Sequence, residues 1–287
     1  SRYGIESKYQ FIDKENIELL DLRGFQRTLS ISNILKNILL PYRLVKSFLQ
    51  VNKLFKEYKP DFVIGTGGYS CAIPLLVAFK KRILTAIQEQ NDIPGLVTKK
   101  LSDKVNFIFT SFDETKEYLL DNDNLLYMGN PIRTTISQID RSDASNMFGL
   151  SSDKFTILII GGSQGAKSIN RHFASVLKTY LNQDIQIIWQ VGSESDDILR
   201  DINNPNISIH KFINDMGSAY SACDLVISRA GATAISEIIS MNKPSILIPY
   251  PYAANNHQVK NALILQNYNI SRMIEEKDLE AGALEEI

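Results

Sequence analysis

Five residues between Gly161 and Gly165, Gly-Gly-Ser-Gln-Gly, carry the clearest potential for chemistry in this sequence. They follow the apolar run Phe155–Ile160 and precede a helical pattern over Ala166–Leu181. A strand that feeds a glycine turn into a helix start aims free backbone N–H groups at one spot, and the helix dipole favours negative charge there. Gly162 and Gly165 permit close approach, the Ser163 hydroxyl adds a donor for a phosphate oxygen, and Gln164 lies between them. The spacing is not Gly-x-Gly-x-x-Gly and no P-loop lysine follows, which disfavours dinucleotide and ATPase readings. A diphosphate cradle and a plain strand-to-helix turn both remain open. Adjacent glycines with a serine favour the cradle.

A second loop of this kind, Gly65-Thr66-Gly67-Gly68-Tyr69-Ser70, follows the run Phe62-Val63-Ile64 and leads to an apolar helix near Ala72. Two anion sites in one chain would suit a reaction joining two phosphorylated substrates. The stretch Asp224–Glu237 repeats the theme. There Gly231 and Ala232 give close approach, and Glu237 is expected near the first turn of the next helix. Its carboxylate could accept both hydroxyls of a ribose, or merely complement the helix dipole by about a few tenths of a kcal/mol. Farther on, His257, Gln258 and Asn261 would share the face of another helix and offer amides to the hydroxyls of a sugar. A lone histidine at a helix start is more often a cap or a packing residue, so His257 is not read as catalytic. The three histidines are dispersed and the two cysteines lie far apart, so no metal site is indicated. Asp121-x-Asp123 could mimic an acid pair but reads better as a turn. No Gly-x-Ser-x-Gly elbow or Cys/His pairing suggests a covalent nucleophile.

The elements that must position these loops alternate. Expected strands are Phe62–Ile64, Thr85–Ile87, Val105–Phe109, Phe155–Ile160, Ile185–Val191, Leu225–Ser228 and Ser245–Pro249, with helices such as Ala166–Leu181 and His257–Gln266 between them. Continuous apolar strands alternating with amphipathic helices mean parallel sheets covered on both faces. The pattern occurs twice around the turn-rich stretch Gly129–Asp153, giving two α/β lobes, 1–135 and 136–287. Ligands are then expected at the carboxyl ends of the strands.

With 287 residues, 44% hydrophobic, the chain can build two sizeable cores. Its 31 basic and 32 acidic residues leave a net charge of −1, which does not point to nucleic acid. Two cysteines fit a reducing cytoplasm better than a disulfide-built secreted domain. No apolar run approaches the ~20 residues of a membrane helix. The segment Arg23–Lys59 stands apart, with eight basic residues against one acid, Glu57, and with Ile34, Leu35, Ile38, Leu39 and Leu40 close together. It fits either a helix lying on an anionic membrane or one packed on the sheet with a solvated basic face.

The ordered stretches GTGGYS (65–70), EQNDIPG (89–95), GNPIR (129–133), GGSQGAKSIN (161–170), FINDM (212–216), SRAGA (228–232) and HQVKNA (257–262) resemble the MurG family of peptidoglycan N-acetylglucosaminyltransferases. The resemblance covers nearly the whole chain. It implies a GT-B fold, two Rossmann-like lobes facing a cleft, and inverting transfer of N-acetylglucosamine from UDP-GlcNAc to lipid I, on the cytoplasmic face of the inner membrane. No cofactor or divalent metal is implied, and the anionic membrane surface becomes the favoured partner of Arg23–Lys59.

Carried over by motif, Gly162, Ser163, Gln164 and Gly165 would hold the UDP diphosphate, with Arg133 facing it from the lobe junction. Ile213, through its backbone, and Met216 would border uracil. Glu237 would hold the ribose; Arg229, Gly231 and Ala232 form the neighbouring loop. His257, Gln258 and Asn261 would lie at the donor sugar. Gly67, Gly68 and Tyr69, with Glu89 and Asn91, would face the acceptor. Glu89 and Asn91 are also weak candidates for the unidentified catalytic base.

Three departures stand out. The family's opening loop, Gly-Gly-Thr-Gly-Gly-His, has no match in Ser1–Leu20, and the far end stops before the family's closing helices. Gln88 replaces a usual His, and Ala234 a usual hydroxyl residue. The chain as written is therefore expected to bind UDP-GlcNAc weakly and to transfer poorly, its full-length parent being active. A UDP-GlcNAc 2-epimerase, another lipid glycosyltransferase and a non-catalytic nucleotide-sugar-binding subunit are the alternatives.

Overall fold

The computed structural model describes residues 17–22, 24, 37–119, 123–162, 165–181, 184–192 and 202–281. The chain divides into two compact units, Ser1–Gly129 and Asn130–Ile287. The division falls six residues before the expected boundary at 135. Asn130–Thr135 go with the second unit because the chain there runs close against Gly217, where a Cβ would lie 2.7 Å from the Thr135 carbonyl oxygen.

The first unit holds four parallel strands in the order β1 (Phe62–Gly65), β2 (Leu84–Glu89), β3 (Phe107–Thr110), β4 (Leu125–Tyr127). Helix α1 (Leu40–Tyr58) starts with Pro41 in its first turn, where the missing N–H costs nothing. It buries Ser47 and Val51, and Phe48 and Phe55 pack on a cluster of Leu20, Leu22, Ile73 and Val77. Helix α2 (Ala72–Lys80) carries those last two side chains and also buries Leu75 against Ile87 and Ile108 of the sheet. Two further helices complete the set used below, α3 (Leu96–Leu101) in this unit and α4 (Arg141–Met147) in the next.

The second unit has six parallel strands: β5 (Thr156–Ile160), β6 (Gln186–Gln190), β7 (Ile207–His210), β8 (Leu225–Ser228), β9 (Ser245–Leu247) and β10 (Ser271–Met273). Their spatial order is β10-β9-β8-β5-β6-β7. The chain steps outward from β5 to β7, then returns to the other side of β5 and steps outward again. The reversal lies between β5 and β8, and in open α/β sheets ligands bind outside the carboxyl ends of the strands at that crevice. Every residue of β5 and β6 is buried, as continuous apolar strands in a doubly covered sheet require. Helix α5 (Lys167–Leu181) packs Ile169 and Phe173 onto this sheet, where Phe173 meets Trp189 edge-on. The Trp189 indole N–H donates to Asn170 Oδ1 at 3.2 Å, and Asn170 Nδ2 donates to the Val191 carbonyl at 2.9 Å. Asn170 thus locks the helix after the glycine loop to the neighbouring strand.

Helices α6 (Met216–Ala222), α7 (Ala232–Ser240) and α8 (His257–Asn267) follow. Strands β4, β7 and β10 were not anticipated. All three lie at sheet edges, where a strand needs no continuous apolar run.

Candidate functional site

A cavity of about 600 Å³ opens at the strand-order reversal of the second unit. Its lining comes from the end of β5 (Ile160), the glycine loop (Gly161, Gly162, Gly165) and the start of α5 (Ala166, Lys167, Ser168). The end of β8 adds Ser228, Arg229 and Gly231, followed by Ala234, Tyr250, Gln258 and Glu276. Both glycine-bearing loops singled out in this half therefore meet at one place, because β5 and β8 are hydrogen-bonded neighbours. Ser163 and Gln164 lie outside the described residues.

Sterics dictate glycine in the loop. Gly162 and Gly165 have φ of +84° and +83°, and a Cβ on Gly165 would sit 2.1 Å from the Val191 carbonyl oxygen. The turn is closed by Gly165 N–H donating to the Gly162 carbonyl at 3.0 Å. The same carbonyl accepts from Gln190 Nε2 at 3.2 Å. Next to it lies the N-terminal, electropositive end of α5, with the cationic Lys167 at its start.

Arg229 lines the cavity but is held by the protein. Its Nη1 donates to the carbonyls of Ile248 and Pro249, both at 3.2 Å, and its Nη2 donates to Ser168 Oγ at 3.0 Å. It also pairs with Glu276 and lies 5.5 Å from the Tyr250 ring centroid. Gln258 reaches the cavity, with its Oε1 accepting from Tyr250 N–H at 2.9 Å.

Of the three residues expected on one face of α8, Gln258 lines the cavity, and His257 and Asn261 are not among its lining residues. Asn261 is fully buried, and its Nδ2 donates to the Ala230 carbonyl at 3.3 Å, bracing the SRAGA loop from behind. His257 opens α8 but is not part of the cavity wall. A one-residue step turns a helix by about 100°, so Gln258 can face the cavity while its neighbours do not.

Glu237 also departs from expectation. It is the sixth residue of α7, in the second turn rather than the first, so the argument from the helix dipole falls away. Its carboxylate is buried and occupied. Oε1 accepts from Arg133 Nε and Nη2 at 3.2 and 3.0 Å, and Oε2 accepts from the Tyr220 hydroxyl at 3.2 Å. Burial, then the adjoining Glu237 charge, hold the Tyr220 phenol far above its ordinary pKa, so it remains a donor. Arg133, Ile213, Met216, Ala232 and Glu237 are all absent from the cavity wall. Ile213 N–H donates to Gln190 Oε1 at 2.9 Å, and Met216 begins α6 behind Asp215, whose carboxylate caps Ser218 N–H. Gln190 and Tyr220 were missed in the sequence. Both look like ordinary core positions until their partners are known.

In the first unit the residues expected on the acceptor side lie at the carboxyl ends of β1 and β2. Gly67 and Gly68 have φ of +78° and +74°, and a Cβ on Gly67 would lie 3.9 Å from the Gln88 carbonyl oxygen. Tyr69 follows at the surface. Glu89 is buried, and its carboxylate accepts from Asn91 N–H at 3.3 Å, Gly95 N–H at 2.9 Å and the Thr98 hydroxyl at 2.6 Å. It braces the loop that carries Asn91 and the start of α3. Among the described residues, no group of three or more His, Cys, Asp or Glu side chains gathers in metal-binding geometry.

Residues 3–110 match the glycosyltransferase family 28 N-terminal domain, and residues 156–287 match the glycosyltransferase family 28 C-terminal domain. The chain is 38% identical over 265 residues to the UDP-N-acetylglucosamine–N-acetylmuramyl-(pentapeptide) pyrophosphoryl-undecaprenol N-acetylglucosamine transferase of Christiangramia forsetii. That alignment covers 92% of this chain and 71% of the relative. MurG of Acinetobacter baumannii superposes with a TM-score of 0.63 at 27% identity, over 83% of this chain and 66% of that one. The Methanocaldococcus jannaschii UDP-GlcNAc 2-epimerase, solved with UDP-GlcNAc and UDP, superposes with a TM-score of 0.54 at 16% identity, over 85% and 73% of the two chains. At that identity the likeness is one of fold. Two parallel-sheet α/β units with these neighbours make the fold GT-B, as expected.

Proposed function

The chain belongs to the MurG glycosyltransferases of family 28, which transfer N-acetylglucosamine to lipid I, and we propose that its second unit holds UDP-GlcNAc at the β5–β8 crevice. The observation that carries this placement is the cavity itself: a glycine loop, a helix start and Lys167 meet there at the strand-order reversal. Loop N–H groups and Lys167 would take the diphosphate, and Gln258 would take a hydroxyl of the donor sugar. In an inverting displacement the acceptor hydroxyl gives up its proton, to a base that the motifs leave unassigned or to water, and its oxygen bonds the anomeric carbon as the bond to the UDP oxygen breaks. The electron pair leaves with UDP, and donors aimed at the diphosphate stabilise that growing charge.

The remaining assignments are proposals of the same kind. Glu237 takes the ribose, Ile213 and Met216 border the base, and Arg133 reaches the diphosphate once it leaves Glu237. Gly67, Gly68, Tyr69 and the loop braced by Glu89 form the acceptor side for lipid I. Helix α1 would rest on an anionic membrane surface. Tyr42, Val45 and Leu49 are exposed at i, i+3 and i+7, flanked by Lys46, Lys53 and Lys56, while the opposite face packs inward.

Calorimetric titration with UDP, UDP-GlcNAc and ADP, followed by product analysis with a lipid I analogue, tests the reading. Preference for the uridine nucleotides over ADP is expected, and any product formed with the lipid I analogue should be the disaccharide lipid. UDP-ManNAc formed with no second substrate would assign the protein to the epimerases instead.

A further inference from the structure

Gln190, at the carboxyl end of β6, is buried and uses both ends of its amide. Its Nε2 donates to the Gly162 carbonyl at 3.2 Å, and its Oε1 accepts from the Ile213 N–H at 2.9 Å. Those partners are 51 residues apart in sequence and sit on the two segments that the donor-site reading assigns to different halves of a nucleoside diphosphate. The place is fixed by sheet register: Gln190 pairs with Ile160 of β5 on one side and His210 of β7 on the other. The glycine loop leaves one of those neighbours and the 212–216 segment leaves the other.

We propose that Gln190 is a positioning residue for the donor nucleotide, setting the diphosphate loop and the base-binding segment at a fixed distance from one another. This rests on the donor-site reading above and adds to it a residue that touches neither phosphate nor base.

The physical argument has two parts. At Gly162 the carbonyl oxygen is the loop group that would repel a phosphate. Two donors, Gly165 N–H and Gln190 Nε2, bind it. Its φ of +84° is readily abandoned by a glycine without such restraint. At Ile213 the N–H is committed to Gln190, so its backbone offers a base an acceptor, the carbonyl. Uracil presents an N–H at position 3, whereas cytosine presents a lone pair there. Gln190 thereby also contributes to base choice. No shorter or one-ended side chain can serve both partners, because the amide nitrogen donates to the Gly162 carbonyl while the amide oxygen accepts from the Ile213 N–H.

The test uses Gln190→Met, which keeps length and removes both polar ends, and Gln190→Asn, which stays neutral and polar but is too short to span. For each folded protein, affinities for uridine, UDP and CDP are measured by titration. In the wild type the diphosphate tightens binding of UDP over uridine, and UDP is preferred over CDP. In both variants the gain from the diphosphate is expected to shrink about tenfold, the order of one lost buried hydrogen bond, and the preference for UDP over CDP to narrow. A purely structural role would lower the unfolding midpoint while leaving these two ratios unchanged. Wild-type ratios in Gln190→Met overturn the proposal; if Gln190→Met does not fold, wild-type ratios in Gln190→Asn overturn it. Failure of the wild type to bind UDP at all would instead overturn the donor-site reading.

Discussion

Arg133 donates from both Nε and Nη2 to a single oxygen of Glu237, at 3.2 and 3.0 Å, although the two residues stand 104 apart in sequence. The other carboxylate oxygen is taken by the Tyr220 hydroxyl. Motif resemblance sends Arg133 to the donor diphosphate and Glu237 to its ribose, so each group is expected to exchange its present partner for a piece of the ligand. Arg133→Ala leaves a buried carboxylate with only a phenol donor. Because the Arg133 side chain is 47% exposed, the cost is set below that of a fully buried pair, at about 1–3 kcal/mol of unfolding free energy. The same change should weaken UDP binding and leave uridine binding unchanged or stronger. Equal weakening of both ligands would mean that Arg133 does no more than hold Glu237 in place.

Gly165 and Gly231 should answer differently to alanine. Gly165→Ala forces a Cβ to within 2.1 Å of the Val191 carbonyl at a φ of +83°, so the loop must distort. A loss of stability of about 2 kcal/mol or more is expected, together with loss of UDP binding. Gly231 has a φ of −72° and nothing within 4 Å of where a methyl group would lie, so Gly231→Ala should leave the unfolding midpoint unchanged. If that open space receives the ligand, UDP-GlcNAc affinity falls nonetheless. A destabilised Gly231→Ala protein would contradict this geometry.

Acid should destabilise the second unit partly through His210. Burial lowers its pKa below the ordinary 6.5, its Nε2 lies 2.9 Å from Ser208 Oγ, and its ring packs edge-on against Phe148. Just below pH 6.5 the unfolded chain takes up a proton that the folded chain refuses. Stability therefore rises with pH in that window, is complete above 6.5, and is lost as pH falls toward the folded pKa. Urea midpoints at pH 7.5 and 5.5 should drop more for the wild type than for His210→Gln. Identical drops would remove His210 from the account.

Helix α1 should bind anionic vesicles in a salt-sensitive way, since exposed Tyr42, Val45 and Leu49 are flanked by Lys46, Lys53 and Lys56. Val45→Glu or Leu49→Glu should reduce co-sedimentation with phosphatidylglycerol vesicles about tenfold or more, without changing UDP affinity. Binding that survives high salt, or that both substitutions leave intact, would refute the electrostatic reading.

Local chemistry was legible along the chain wherever neighbours in sequence are also neighbours in space. A strand, a glycine turn and a helix start are contiguous, so the loops at Gly65–Ser70, Gly161–Gly165 and Ser228–Ala232 could be read directly, and their order identified the family. Continuous apolar strands likewise announced parallel sheets in two units. Partners distant in sequence were decided by the tertiary structure. The reversal of strand order after β7 brings the ends of β5 and β8 together into one cavity. Register within β5, β6 and β7 sets Gln190 between Gly162 and Ile213, and tertiary packing sets Asn261 onto Ala230 and Arg133 against Glu237. A buried polar group must find a hydrogen-bond partner or pay its full desolvation cost. Which partner it finds depends on strand order and register, and a motif read along the chain contains neither.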